Sequence, residues 1–465
     1  MYIVVSSLII FSLISWYAIR HSSKKAYILD KNLSGLVAGI STGATSNSGF
    51  IVVAAVGMGY SMGMKALLYP LSWLIGDLIF WFFCAEKIVA KSHSSKSLSV
   101  PEFVVSGIEG KKEHKQILLK VMAVFIGIFL MMYLIAQFVS IEKSATFFTD
   151  YDSIVPMLVI LGFVIFYSSI GGFIASVYTD VVQGIMMLIL ALGVLLWSLN
   201  HLGGIFEFIS LVHYSSPELL NLNGAMTWLE TIVFVFAFGF LGFGFNIAQP
   251  QVTSRIMAIR DKKQAKIARY VYISFEQFTW MAMCLIGFMA KFIVSGAEDP
   301  ETALPKLAME NFHPVVVTFV MAGILATIIS TLDSLLVAIS NSFSYDVFGI
   351  GKTNDKLIYS RIFMIVTGAI AVMLSVFSSE SVMVLSLMTV NLLTGTIGVA
   401  IVLRIFFNKL DYIPLVFSLG IGLISTLSWR FLEFNSQIGE GVAGFIIGII
   451  SYFLLLKLMK RRLAK

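Results

Sequence analysis

Charge is scarce in this chain. Only 12% of its 465 residues are Asp, Glu, Lys or Arg, whereas 58% are apolar. Mean hydropathy is +0.92. That balance excludes a soluble domain and points to a polytopic membrane protein. There are two cysteines, Cys84 and Cys284, both in apolar stretches, so neither a disulfide framework nor a thiolate metal site is expected. The six histidines form no ligand-spaced cluster, and no nucleophile–base set appears, which argues against an enzyme. Strand-like alternation is missing, which excludes a transmembrane barrel. The start, "MYIVVSSLIIFSLISWYAIR", lacks a basic leader and a small-residue cleavage site, so it reads as a retained helix.

Long apolar segments fill the rest. At about 20 residues per crossing, about thirteen spans are expected. They lie near 2–20, 33–60, 64–92, 114–148, 152–174, 178–200, 225–254, 268–295, 312–345, 357–378, 381–406, 411–430 and 438–459. The net charge of +6 sits in short loops and does not mark a nucleic-acid binder. Lys and Arg follow spans one, three, seven, nine and eleven and close the chain as "KLMKRRLAK". The alternate loops, such as "SGAEDPETALPKLAMENFHP" and "HYSSPELLNLNG", are acidic or polar. By the positive-inside rule the N-terminus is outside and the C-terminus cytoplasmic, in a cell (plasma or inner) membrane.

Two spans carry small, polar or glycine-rich residues where a plain helix prefers leucine. These are 41–50, "STGATSNSGF", and 239–250, "GFLGFGFNIAQP". They lie five spans apart, an odd number, so they enter the bilayer from opposite sides. Paired interruptions of this kind mark an inverted repeat with broken helices, and broken backbone in lipid is tolerated where it lines a polar site.

The ninth span, "ATIISTLDSLLVAISNSFSYD", raises the central question. At about 100° per residue, Thr327, Ser330, Thr331, Asp333 and Ser334 share one face. An acid at the bilayer centre costs about 2.5–3.5 kcal/mol on insertion scales. Hydroxyls that bond back along the helix explain some of this face but not Asp333. Hard oxygens without a cation of their own suit a bound cation. Asp180 has two readings: a capping-box acid with Gln183 three residues on, or a second ion ligand. Asp77 and Glu276 are further in-span acids that fit a ligand, a proton carrier or a partner for a neighbouring helix; Glu276 is expected nearer to water.

The segments "YILDKNLSGLVAGISTGATSNSGF", "SLSVPEF", "GGFIASVYTDVVQG", "GFNIAQPQVTSRIMA" and "ILATIISTLDSLLVAISNSFSYD" together resemble the sodium:solute symporter family, which includes sodium/proline, sialic acid and sugar carriers. The resemblance spans nearly the whole chain. It implies an all-α, LeuT-like core of two inverted five-helix repeats. The corresponding division is 1–32 (extra helix and loop), 33–200 (first repeat), 201–406 (second repeat) and 407–465 (two further helices and a basic tail).

It also implies a sodium site formed by the carbonyls of Ala44, Asn47 and Thr327 and the hydroxyls of Ser330 and Thr331. A second sodium would use Asp180, Ser330, Asp333 and Ser334. Ser46 stands where sodium/proline symporters have an acid, a departure that bears on the solute. Solute contacts are expected from Ser48, Gly49, Tyr133, Gln137, Phe243, Phe245, Asn246 and Gln249. No Arg or Lys lies mid-span to clamp a carboxylate; Lys65 is nearest, at the outer end of the third span. The implied activity is sodium-driven symport of a small organic solute (an amino acid such as proline, or a sugar or sugar acid) by alternating access, with one or two sodium ions and no obligate protein partner. A proton-coupled carrier and a transporter-like solute sensor are the competing readings.

Overall fold

The structure, a computed structural model, describes residues 29–148, 154–349, 357–434 and 439–463, with Leu13, Trp16 and Arg20 before them. The expected span at 2–20 falls almost wholly outside these residues. Among the described residues, ten helices are long and apolar enough to cross a membrane. Two of the ten join spans that the sequence reading separates. Gly35–Phe83 is interrupted at Gly63, with φ 59°, by a short 3-10 turn. Ile154–His201 leaves helical geometry at Gly172, with φ 56°. In both cases the connection is itself nearly helical, so no polar loop separates the halves. Among the described residues, strand is confined to two residue pairs, Ile108–Glu109 and Leu410–Asp411, paired in parallel.

The elements that matter for the site are numbered along the chain. Helix α1 is Gly35–Gly49, continued by a π turn at Phe50–Ala55 and α2 at Val56–Met62. Helix α3 is Leu68–Phe83, α4 Lys112–Ala145 and α5 Ile154–His201. Helix α6 is Trp228–Ala248, α7 Pro250–Met257, α8 Lys262–Ile293 and α9 Pro314–Asn341. Helix α10 is Val382–Leu393.

Small residues set the packing of the centre. In α1, Gly35, Gly39 and Gly43 recur every four residues and face Ile267, Val271 and Phe275 of α8. Further along, a Cβ on Gly59 would lie 1.9 Å from the Cys284 carbonyl, and one on Gly287 would lie 1.9 Å from the Val56 carbonyl. The two backbones touch there, which is how membrane helices gain dispersion energy without a hydrophobic driving force. Helix α3 meets α6 the same way at Gly76 and Gly239. The helix at Pro314–Val347 has 72% of its apolar window buried, and the one at Val382–Phe406 has 83%, against 33% for Tyr412–Phe431 and Glu440–Arg461. The ninth span is therefore central, and the last two helices form the lipid-facing periphery.

The interruptions are shorter than the sequence suggests. In the first segment only Ser48 leaves helical geometry, at φ 53° and ψ −177°. In the second, α6 runs unbroken to Ala248 and the break falls at Gln249, with φ −83° and ψ 110°. Pro250 then opens α7, where its missing N–H costs nothing.

Candidate functional site

Helix α9 passes against α1 just before the Ser48 break. The Ser330 hydroxyl donates to the Ala44 carbonyl at 2.9 Å and lies equally close to the Thr327 carbonyl. Thr331 donates to the carbonyl of Thr45, not of Ala44, at 2.8 Å. Thr327 turns its own hydroxyl back to Gly323, which leaves its carbonyl facing Ser330. The Ala44 and Thr327 carbonyls and the Ser330 hydroxyl thus form one oxygen cluster, with Thr331 beside it on the next carbonyl of α1, and all four residues are buried. Asn47 differs: its carbonyl accepts from the Phe50 N–H, and its side chain bonds Thr279 of α8. All four clustered groups are hard oxygens at a helix break, a donor set that fits a sodium ion.

One turn further along α9, Asp333 is fully buried. Its Oδ2 accepts from Tyr167 at 2.6 Å and from Thr179 at 3.4 Å. Its Oδ1 accepts from Ser176 at 2.9 Å and Ser334 at 3.0 Å. Asp180 lies beside this group but is not a helix cap. It sits mid-helix in α5, eight residues past the Gly172 kink, so the capping-box reading is corrected. Its Oδ2 accepts from Ser41 at 2.7 Å, Thr45 at 3.0 Å and Arg255 at 2.6 Å. Ser334 joins the two acids, touching Thr45, Ser176 and Arg255.

Arg255 is the residue the sequence reading missed. It is 1% exposed, on the short helix α7 created by the Gln249–Pro250 break. The span boundary drawn at 254 put it in a cytoplasmic loop. The available signal was its place five residues after Pro250, too close to the break to reach bulk water. With Arg255 counted, the network holds two carboxylates and one guanidinium, a formal charge of −1.

The expected solute residues divide into two groups. Tyr133 and Phe245 line a narrow cavity of about 20 Å³ together with Ser46, Trp73, Glu276 and Trp280. Ser48, Gly49 and Gln137 adjoin it: Tyr133 donates to Ser48 at 2.9 Å, and the Gly49 N–H donates to Gln137 at 2.8 Å. Three others point elsewhere. Asn246 donates to Asp77 at 2.7 Å, Phe243 packs on Phe240 and Phe445, and Gln249 accepts from Gln251. The reason is that α6 stays helical to Ala248, so Phe243 and Asn246 face away from the cavity reached by Phe245. Glu276 does not approach water; it is 2% exposed and faces the cavity.

Comparison with known proteins settles the family. Residues 27–412 match the sodium:solute symporter family. The chain belongs to that family. The osmoregulated proline transporter OpuE of Bacillus subtilis (strain 168) is 26% identical over 467 residues, spanning 97% of this chain and 92% of that protein. The sodium/proline symporter of Staphylococcus aureus is 26% identical over 458 residues, spanning 93% and 86%. Among solved structures, a substrate-bound, outward-open Na+-coupled sialic acid symporter matches with TM-score 0.79 at 16% identity, covering 98% of this chain and 97% of that one. MhsT in complex with L-phenylalanine matches with TM-score 0.54 at 13% identity, over 92% and 99%. The fold of this symporter-family chain is therefore the all-α, LeuT-like one.

Proposed function

We propose that this protein carries a small organic solute into the cell, driven by sodium through alternating access. The observation that carries the reading is the Ser330–Ala44 contact, 2.9 Å long, with the Thr327 carbonyl equally close. It joins a broken helix to an unbroken one through oxygens alone. A sodium ion among Ala44, Thr327, Ser330 and Thr331 fastens α1 to α9 and so sets the Ser48 break, one turn on, against Tyr133. Asn47 joins this set through its carbonyl if the break loosens.

A second cation belongs with Asp180, Ser330, Asp333 and Ser334. Support comes from the formal charge of −1 on Asp180, Asp333 and Arg255, because an uncompensated charge in a buried network is costly. Sodium is the first reading for this cation. A proton on Asp333 is the second, favoured by complete burial of the acid and opposed by the four hydroxyls that donate to its ionised form.

The driving force is adequate. One charge moving through about 150 mV yields about 3.5 kcal/mol. A tenfold sodium gradient adds about 1.4 kcal/mol. Together these support about a few-thousand-fold accumulation of a neutral solute per ion, and two ions square that limit.

Solute contacts come from Ser48, Gly49, Tyr133, Gln137 and Phe245. The relatives named for proline, and the fold neighbour named for sialic acid, make an amino acid or a sugar acid the classes to test. The repeats are 33–200 and 201–406, with the N-terminus outside, the C-terminus cytoplasmic and lipid all round. Uptake by purified protein in liposomes tests the proposal: an imposed inward sodium gradient drives accumulation, and accumulation that ignores sodium removes it.

A further inference from the structure

Glu276 is buried, and among the described residues one of its carboxylate oxygens has no partner. Its Oε2 accepts no hydrogen bond, and it is 2% exposed. The charge acting on it from the neighbouring helix is another acid, Asp77, held by Asn246 at 2.7 Å and by Tyr272 at 3.4 Å. Among the described residues, none that lines the cavity Glu276 faces is basic. An ionised carboxylate buried in that setting costs several kcal/mol, a cost removed either by a proton or by a cation bound beside it.

The rest of the cavity says what kind of cation. Trp280 lies one turn beyond Glu276 on the same face of α8. Its ring meets Phe50 edge-on at 5.4 Å and Trp73 at 5.3 Å, and Trp73 meets Phe245 at 5.4 Å. A chain of aromatic rings therefore lines the cavity that the carboxylate faces. Most of the hydroxyls that would serve a metal ion are committed: Ser46 donates to Thr42, and Tyr133 to Ser48. One free carboxylate oxygen among ring faces suits an organic nitrogen cation, which aromatic faces attract, better than it suits a sodium ion that needs several hard oxygens. Three donors on the wall, the Trp73 and Trp280 indole N–H groups and the Ser386 hydroxyl, also lack partners among the described residues and suit a carboxylate.

We propose that Glu276, within the ring formed by Phe50, Trp73, Phe245 and Trp280, binds the positively charged nitrogen of the transported solute. The solute class is then a small zwitterion such as an amino acid, an imino acid or a betaine. This rests on the symport reading above and supplies its solute. It also accounts for Ser46: the acid absent from the broken helix is provided by α8 to the same cavity.

The test is ligand-dependent thermal stabilisation of the purified full chain, with and without sodium. The probes are L-proline, L-alanine and glycine betaine against D-glucose, N-acetylneuraminate and tetrahydrofuran-2-carboxylate. The last has the shape of proline with oxygen in place of the charged nitrogen. The expected result is stabilisation by at least one nitrogen cation and by none of the other three. Glu276→Gln should weaken that ligand about thirtyfold or more, because a buried charge pair loses one member. Glu276→Asp should recover part of the loss. Stabilisation of Glu276→Gln by sodium alone shows that the variant is folded; should it fail to fold, the comparison of proline with its oxygen analogue in the native chain decides alone. The proposal is overturned if tetrahydrofuran-2-carboxylate, glucose or N-acetylneuraminate binds as well as the nitrogen cations. It is equally overturned if no nitrogen cation stabilises, or if Glu276→Gln binds unchanged. Proline binding that needs Glu276 but ignores sodium supports this site while removing the symport reading.

Discussion

Replacing Asp333 with Asn removes one buried negative charge while keeping the side chain's shape. The amide oxygen can still accept from Ser176 and Ser334, and the amide nitrogen can donate toward the Tyr167 and Thr179 oxygens, so the four hydrogen-bonded neighbours keep a partner. The network of Asp180, Asp333 and Arg255 goes from a formal −1 to neutral and no longer calls for a cation. A full charge at about 4 Å is worth about 4 kcal/mol at an effective dielectric of about 20. If only a third of that survives relaxation and water entry, the loss is about 1.4 kcal/mol, a factor of about ten in sodium affinity. The assay is uptake into proteoliposomes against external sodium at fixed pH. The native chain should show a Hill coefficient near two, by the two-cation proposal. The variant should fall to about one, need about tenfold more sodium and accumulate solute to a far lower limit. Unchanged cooperativity and an unchanged limit would refute the placing of a cation at Asp333. A sodium Hill coefficient near one in both proteins, with pH dependence lost in the variant, would assign that cation as a proton.

Other substitutions test the supporting structure. Arg255→Met strands Asp180, whose Oδ2 it meets at 2.6 Å, and should cost about 3–5 kcal/mol in an SDS unfolding titration. Adding Asp180→Asn should recover much of this, and strict additivity would show that the pair is not coupled. Ser48→Val should cost about 1–3 kcal/mol more than Ser48→Gly, because φ 53° with ψ −177° is a conformation few side chains tolerate. Equal stability of the two variants would deny the strain. Gly287→Ala puts a methyl 1.9 Å from the Val56 carbonyl and should lower stability by about 1–3 kcal/mol; a neutral effect would mean that the helices part freely. Burial pushes the Lys31 amine down to about 8, with the Glu102 charge partly opposing. The folded protein thus holds fewer protons there than the unfolded chain, whose lysine titrates near 10.5. The cost of burying the charge is full below about pH 8 and relieved above it, so the stability gap between Lys31→Met and the native chain should move in the native chain's favour from pH 8 to pH 10. A pH-independent gap would contradict the burial.

What the sequence revealed and what it hid follow from periodicity. The oxygen face of α9 was legible because Thr327, Ser330, Thr331, Asp333 and Ser334 break an apolar run at helical spacing. The two interruptions were legible because Gly, Ser and Asn are poor helix formers placed where leucine is expected. Their exact break points were not, since one residue, Ser48 or Gln249, takes the whole change in backbone direction. That single-residue break is also why Asn246 and Phe243, expected among the solute contacts, turn away from the cavity that Phe245 reaches. Arg255 was hidden because hydropathy ends a span at the first charge and cannot see a guanidinium turned inward onto an acid 75 residues earlier. Glu276 was visible as an acid, but its aromatic surroundings come from α3, α6 and the π turn after α1, which only tertiary packing assembles.

The claim beneath all of this is that sodium joins α1 to α9 through the hydroxyl of Ser330. It is tested most directly by the sodium dependence of solute uptake in proteoliposomes of the native chain and of Ser330→Ala. The expected outcome is a sodium requirement raised about tenfold or more in the variant, with solute affinity at saturating sodium little changed. An identical sodium dependence in the two proteins would contradict the account.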